Sequence, residues 1–83
     1  MNLSYQVGPM NNVIGTVSNR SGQDADVTIE FKGYTSDDVV TQGNPQATIE
    51  HLGAGETARF QCAGFFGMVS KVSLIRVRAV APP

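Results

Sequence analysis

Along Val27-Thr28-Ile29-Glu30-Phe31-Lys32, apolar and polar residues alternate without interruption. That two-residue period belongs to a strand with one face buried. It recurs in Thr57-Ala58-Arg59-Phe60-Gln61-Cys62 and, at the end of the chain, in Ile75-Arg76-Val77-Arg78-Ala79. No window places apolar residues at the helical i, i+3, i+4, i+7 spacing, and nothing repeats at a fixed period. The pattern therefore predicts an all-β chain.

Turn residues divide the sequence into short extended pieces. Tyr5-Gln6-Val7 reads as a first strand ended by Gly8-Pro9, and Val13 to Ser18 as a second, with Val13, Gly15 and Val17 on one face. Asn19-Arg20-Ser21-Gly22 follows as a turn, since Asn and Gly tolerate positive φ and Ser bonds nearby backbone. Val27 to Tyr34 is the strongest strand. After the polar loop Thr35-Ser36-Asp37-Asp38 come a short edge strand at Val39-Val40-Thr41, the turn Gln42-Gly43-Asn44-Pro45 and a strand over Ala47–Leu52. Gly53-Ala54-Gly55 is expected to join that strand to Thr57–Cys62 as a hairpin. The final strand, Val69 to Val80, slips in period: Val72 and Leu74 share one parity, while Ile75, Val77 and Ala79 share the other. One extra residue at a β-bulge near Leu74 brings both sets to the core face.

Six to seven short strands separated by turns imply two antiparallel sheets packed as an immunoglobulin-like β-sandwich. Its expected core is Val17, Val27, Ile29, Phe31, Ile49, Leu52, Phe60, Ile75 and Val77. The 83 residues make one domain, 1–83, and a chain of that size buries roughly 60–65% of its unfolded surface. The last residues, Ala81-Pro82-Pro83, read as the start of a stiff linker. With 41% hydrophobic and 16% charged residues the chain is ordinary for a globular domain. A net charge of -1 supplies no general attraction to nucleic acid or anionic lipid. No apolar run is long enough to span a bilayer, so direct membrane insertion is not expected. The start, Met1-Asn2-Leu3-Ser4, lacks a basic and then apolar leader, which leaves a cytoplasmic chain or a domain cut from an exported precursor.

Three segments together resemble the FxLYD domain family, small immunoglobulin-like sandwiches of bacterial and archaeal envelope proteins. Ile14-Gly15-Thr16-Val17-Ser18-Asn19-Arg20-Ser21-Gly22 is similar to the family's G-x-V-x-N-x-S/G opening. Phe31 and Tyr34 take the aromatic positions of the naming motif, with Gly33 where Leu is expected and Thr35 where Asp is expected. Ile49 to Phe60 resembles the I-x-x-L-x-x-G-E-x-x-x-F hairpin. The resemblance implies an accessory or interaction domain attached to larger exported or lipid-anchored proteins, in an extracytoplasmic location, and it carries over no catalytic residue.

Candidate chemistry is sparse. His51 is the only histidine and has no second imidazole with which to hold a metal. Cys62 shares the parity of Ala58 and Phe60 and is expected in the core, with Arg59 on the opposite face. A single cysteine allows no intrachain disulfide and no cysteine-cluster zinc site. Asp24 with Asp26, and Asp37 with Asp38, are the candidates for loop-bound calcium. They lack the spacing of a calcium loop, and turn formation explains all four. Gly53-Ala54-Gly55 leads into a strand rather than a helix, so it is not a phosphate loop. Arg76, Arg78 and Lys71 form the one basic cluster, without the interleaved aromatics of a nucleic-acid surface; exposed charges of this kind discourage edge pairing. Asn2-Leu3-Ser4 and Asn19-Arg20-Ser21 fit the glycosylation sequon, which matters only in a eukaryotic secretory pathway.

Phe65, Phe66 and Met68, bracketed by Gly64 and Gly67, exceed what the fold needs. Adjacent residues of an extended segment point to opposite sides, so one aromatic is expected to close the sandwich while the other faces solvent as a protein contact. The sequence thus predicts a monomeric, non-enzymatic interaction or spacer module without a cofactor, binding protein through an edge strand or the Phe65-Phe66 loop. The alternatives are a small β-sandwich proteinase inhibitor and a calcium-dependent binding module.

Overall fold

The computed structural model describes residues 1–83. Six strands and no helix make up the chain: β1 (Asn2–Val7), β2 (Val13–Ser18), β3 (Ala25–Tyr34), β4 (Gln46–Leu52), β5 (Thr57–Cys62) and β6 (Lys71–Val80). They form two antiparallel three-stranded sheets, ordered β1-β2-β5 and β4-β3-β6 and packed face to face as a β-sandwich. The β1–β2, β2–β5 and β3–β6 neighbours reproduce the A–B, B–E and C–F pairings of immunoglobulin domains, with β4 in the C′ place. Strands D and G of that scheme have no counterpart.

The alternation in β3 sorts its residues cleanly. Val27, Ile29 and Phe31 are completely buried, whereas Thr28, Glu30 and Lys32 lie on the outer face. Phe31 is the hub, with the Tyr5 ring edge-on at 4.9 Å and the Phe60 ring stacked at 6.0 Å. Gly15 of β2 makes that geometry possible: a Cβ there would lie 2.9 Å from the Phe60 ring and against the β1 backbone. Val13, Val17, Leu52 and Cys62 complete the centre of the core, with Ile49 and Val77 half-buried against it.

The bulge expected in the last strand is present. Glu30 pairs with Arg76 and Phe31 with Leu74, so Ile75 is the extra residue. Val72, Leu74 and Val77 consequently face the core together. Ile75 itself is not a core residue: it occupies the bulge and is 38% exposed. Ala79 is exposed as well. A second bulge sits in β4, where Glu50 and His51 oppose Asp26 alone, with His51 at φ 54° and its amide donating to Asp26 Oδ1 at 2.8 Å.

Strands β4 and β5 do not form a hairpin. Each belongs to a different sheet, and the Gly53–Glu56 turn carries the chain across the sandwich. The backbone of Asn19 extends the β2–β5 ladder into that turn, accepting from Gly55 N at 2.7 Å and donating to Glu56 O at 2.9 Å. Val39-Val40-Thr41 forms no strand; Val40 only bridges Tyr34, and Gln42 bridges Phe66.

Candidate interaction site

Strand direction places three loops, residues 8–12, 35–45 and 63–70, at one pole of the sandwich. The turns at 19–24 and 53–56 share the other pole with both chain ends, because Asn2 pairs with Ser18 and Val80 with Asp26. The two poles differ in how they are finished.

Asn19 seals the turn pole. Its side chain is fully buried, donating from Nδ2 to Gln23 O and Leu52 O and accepting at Oδ1 from the amide and hydroxyl of Ser21. Positive φ, the property that makes Asn a turn residue, is instead found at Gly22. Asn19 serves as a polar plug that binds two turns together. Asp24 and Asp26 are also engaged here, accepting backbone amides of Ala54 and His51.

The loop pole is built around Phe65 and Phe66. Phe65 turns inward, 8% exposed, into space that Gly33 leaves open: a Cβ on Gly33 would lie 2.7 Å from the Phe65 ring. A side chain at this position, near the end of β3, would expel the loop. Phe66 points the other way and is 72% exposed, with Met68 77% exposed. The flanking glycines suggest a mobile loop, but the segment is anchored on three sides. Asn11 donates from Nδ2 to Gly67 O at 2.9 Å and accepts from Val69 N at 2.8 Å, Phe66 N donates to Gln42 O, and Ser70 N donates to Tyr34 O. Gly43 approaches Gly64 too closely for any Cβ.

Anchoring by Asn11 brings a residue the sequence reading overlooked to the same pole. Met10 is 79% exposed, the most exposed large apolar side chain of the chain. An apolar residue at the tip of a Pro-containing turn was the available signal. Two buried oxygens, Asn12 Oδ1 and Thr41 Oγ1, belong to this pole and have no hydrogen-bond partner. Each costs about 1–3 kcal/mol. At the loop pole, then, an anchored backbone carries aromatic and methionine side chains that project into water.

The remaining candidates are not brought together. Asp37 and Asp38 lie in the loop at the opposite pole from Asp24 and Asp26, Asp38 is paired with Lys71, and no three His, Cys, Asp or Glu side chains gather to hold a metal ion. His51 is solvent-facing, with Nδ1 3.9 Å from Asp26 Oδ1. Cys62 is buried and unpaired, and burial pushes its thiol up, away from the reactive thiolate. Arg59 faces outward beside an open concavity over the β1-β2-β5 sheet that Gln6, Ile14, Thr16 and Gln61 also border. Tyr34 lies between Lys32 and Lys71, each ammonium 5.8 Å from the ring centroid. No family model, curated protein or solved structure matches the chain.

Proposed function

We propose that this domain is a non-enzymatic interaction or spacer module, tethered at the pole where its chain ends leave and presenting Met10, Phe66 and Met68 to a protein partner. One observation carries the reading: at the pole farthest from both chain ends, Met10, Phe66 and Met68 are held in water by two loops that Asn11 ties together. Folding gains nothing from such exposure, whereas aromatics and methionines are enriched where proteins meet. The resemblance of the Ile14–Gly22, Val27–Thr35 and Ile49–Phe60 segments to FxLYD domains supports membership of that family and a place outside the cytoplasm, within an exported or envelope-associated prokaryotic protein.

A photo-crosslinking residue installed at Phe66 in the producing cells tests the contact. The expected result is one discrete protein adduct that disappears with Met68→Asp, while the same probe at Thr48, on the exposed face of β4, gives none. No adduct at Phe66, or equal adducts at both positions, would sink the reading. Since all these side chains are exposed, the variants should melt within about 0.5 kcal/mol of the parent.

A further inference from the structure

The two long sides of the sandwich are closed unequally. Where β4 of one sheet faces β5 of the other, Ala47, Leu52, Phe60 and Cys62 are buried and only Ile49 and Ala58 are half-buried. Along the opposite side, where β1 faces β6, the inward-pointing Leu3, Val7, Val72, Leu74 and Val77 are only half-buried, and Tyr5 is 37% exposed although its ring touches Phe31. A seam of apolar side chains thus lies open beside the longest edge strand, β6, whose outer backbone groups pair with nothing. In a seven-strand immunoglobulin domain that position belongs to strand G, the neighbour of F.

We infer that the β6 edge accepts a seventh strand from a partner protein, an extended segment that alternates apolar residues toward the seam with acidic residues on the outer face. The backbone ladder supplies affinity and the alternation supplies register. The acidic preference follows from the outer row of β6. Lys71 is paired with Asp38 and Arg76 with Glu30 at 3.2 Å, but Arg78, opposite Thr28, has no ionic partner. An added strand sets its outward residues beside these cations. A second copy is the wrong occupant: antiparallel β6-to-β6 pairing that keeps the outer faces together brings arginines opposite one another, through Arg76 to Arg78 or either to itself. Like charges directly opposite destabilise a sheet. The charges that stop the edge from pairing with itself therefore select what it does accept.

This inference rests on reading the domain as an interaction module, at a surface distinct from the loop pole. The test uses a capped ten-residue peptide, as long as β6, alternating valine with glutamate and titrated into isotope-labelled domain while amide shifts are followed. Shifts confined to Lys71–Val80 and the facing residues of β1 are expected, with affinity reduced about tenfold by Arg78→Glu and by a peptide carrying lysine in place of glutamate. Arg78 is exposed, so the variant should keep its fold; if its melting shows otherwise, Arg78→Gln takes its place with a smaller loss. No shifts, shifts at residues 8–12 and 63–70 instead, or equal binding of the two peptides would overturn the inference. So would a dimer protected at β6 in sedimentation and hydrogen exchange without peptide. The doubly substituted Phe66→Ser, Met68→Ser domain should bind the peptide as the parent does, so failure at the loop pole and failure at the β6 edge are told apart.

Discussion

At the residue scale, Asn19 and Gly33 decide more than their chemistry advertises. Asn19 uses both ends of its amide: two backbone carbonyls receive Nδ2 and two groups of Ser21 donate to Oδ1. Asn19→Ala should cost about 2–3 kcal/mol in urea unfolding, because buried carbonyls lose their donors. Asn19→Asp keeps the shape but sets a carboxylate against Gln23 O and Leu52 O. Its folded-state pKa must rise above the unfolded value of about 3.9, so the variant gains stability as pH falls through the folded pKa. Asn19→Asp as stable at pH 7 as the parent would contradict the plug. Gly33→Val should cost about 1–3 kcal/mol through its clash with Phe65 and Thr41. In a Phe65→Ala background the added cost should be clearly smaller, since the ring that blocks the new side chain is gone. A glycine where the FxLYD pattern has leucine announces a bulge or a close neighbour; pairing through Gly33 is regular, and the close neighbour is Phe65. Which neighbour it is depends on a loop more than thirty residues away. Likewise a turn-forming Asn and a buried polar plug look the same in one dimension.

At the element scale, both bulges leave the same trace, a spacing of three between core positions in an otherwise two-residue period. Leu74 and Val77 show it in β6, and Ile49 and Leu52 show it in β4. The first slip predicts the β6 bulge correctly; the second carries the same information and lies beside His51, where the positive φ occurs. Which residue of a slipped pair leaves the core is not written in the parity, and here Ile75 is the one displaced. Deleting Ile75 leaves Val72, Leu74 and Val77 inward and Arg76 outward in unbroken alternation. The deletion variant should therefore fold, within about 1 kcal/mol of the parent by urea unfolding, whereas deleting Val77 should unfold the strand's C-terminal half by moving Arg78 inward. Equal loss in both deletions would show that the bulge serves something other than register. The β4–β5 connection is the element that local reading misplaces. Gly53-Ala54-Gly55 suits a hairpin and a crossover equally, and what separates them is the β2–β5 ladder, formed with a different part of the chain.

At the scale of the whole molecule, six strands in two sheets give a body 41 Å long and 20 by 16 Å across, with a sealed pole at the chain ends and an exposed apolar pole opposite. Reading along the chain is enough for the six main strands, most of their buried faces and the split of Phe65 from Phe66, because each follows from alternation between neighbours a few residues apart; it misplaces Val39-Val40-Thr41 as a strand and Ile75 as core. The tertiary structure alone decides the rest: that β5 joins β2 rather than β4, that Met10 shares a pole with Phe66 and Met68, that the two aspartate pairs stand at opposite ends, and that the β1/β6 side stays open while the β4/β5 side is closed. The physical division is plain. Periodicity records which face of a strand leaves water, since burial acts on each side chain through its own surface. It holds no record of which strand covers that face, because any apolar face can cover any other. Sheet order is instead settled by contacts between distant residues, among them the β2–β5 ladder that the Asn19 backbone extends to Gly55 and Glu56.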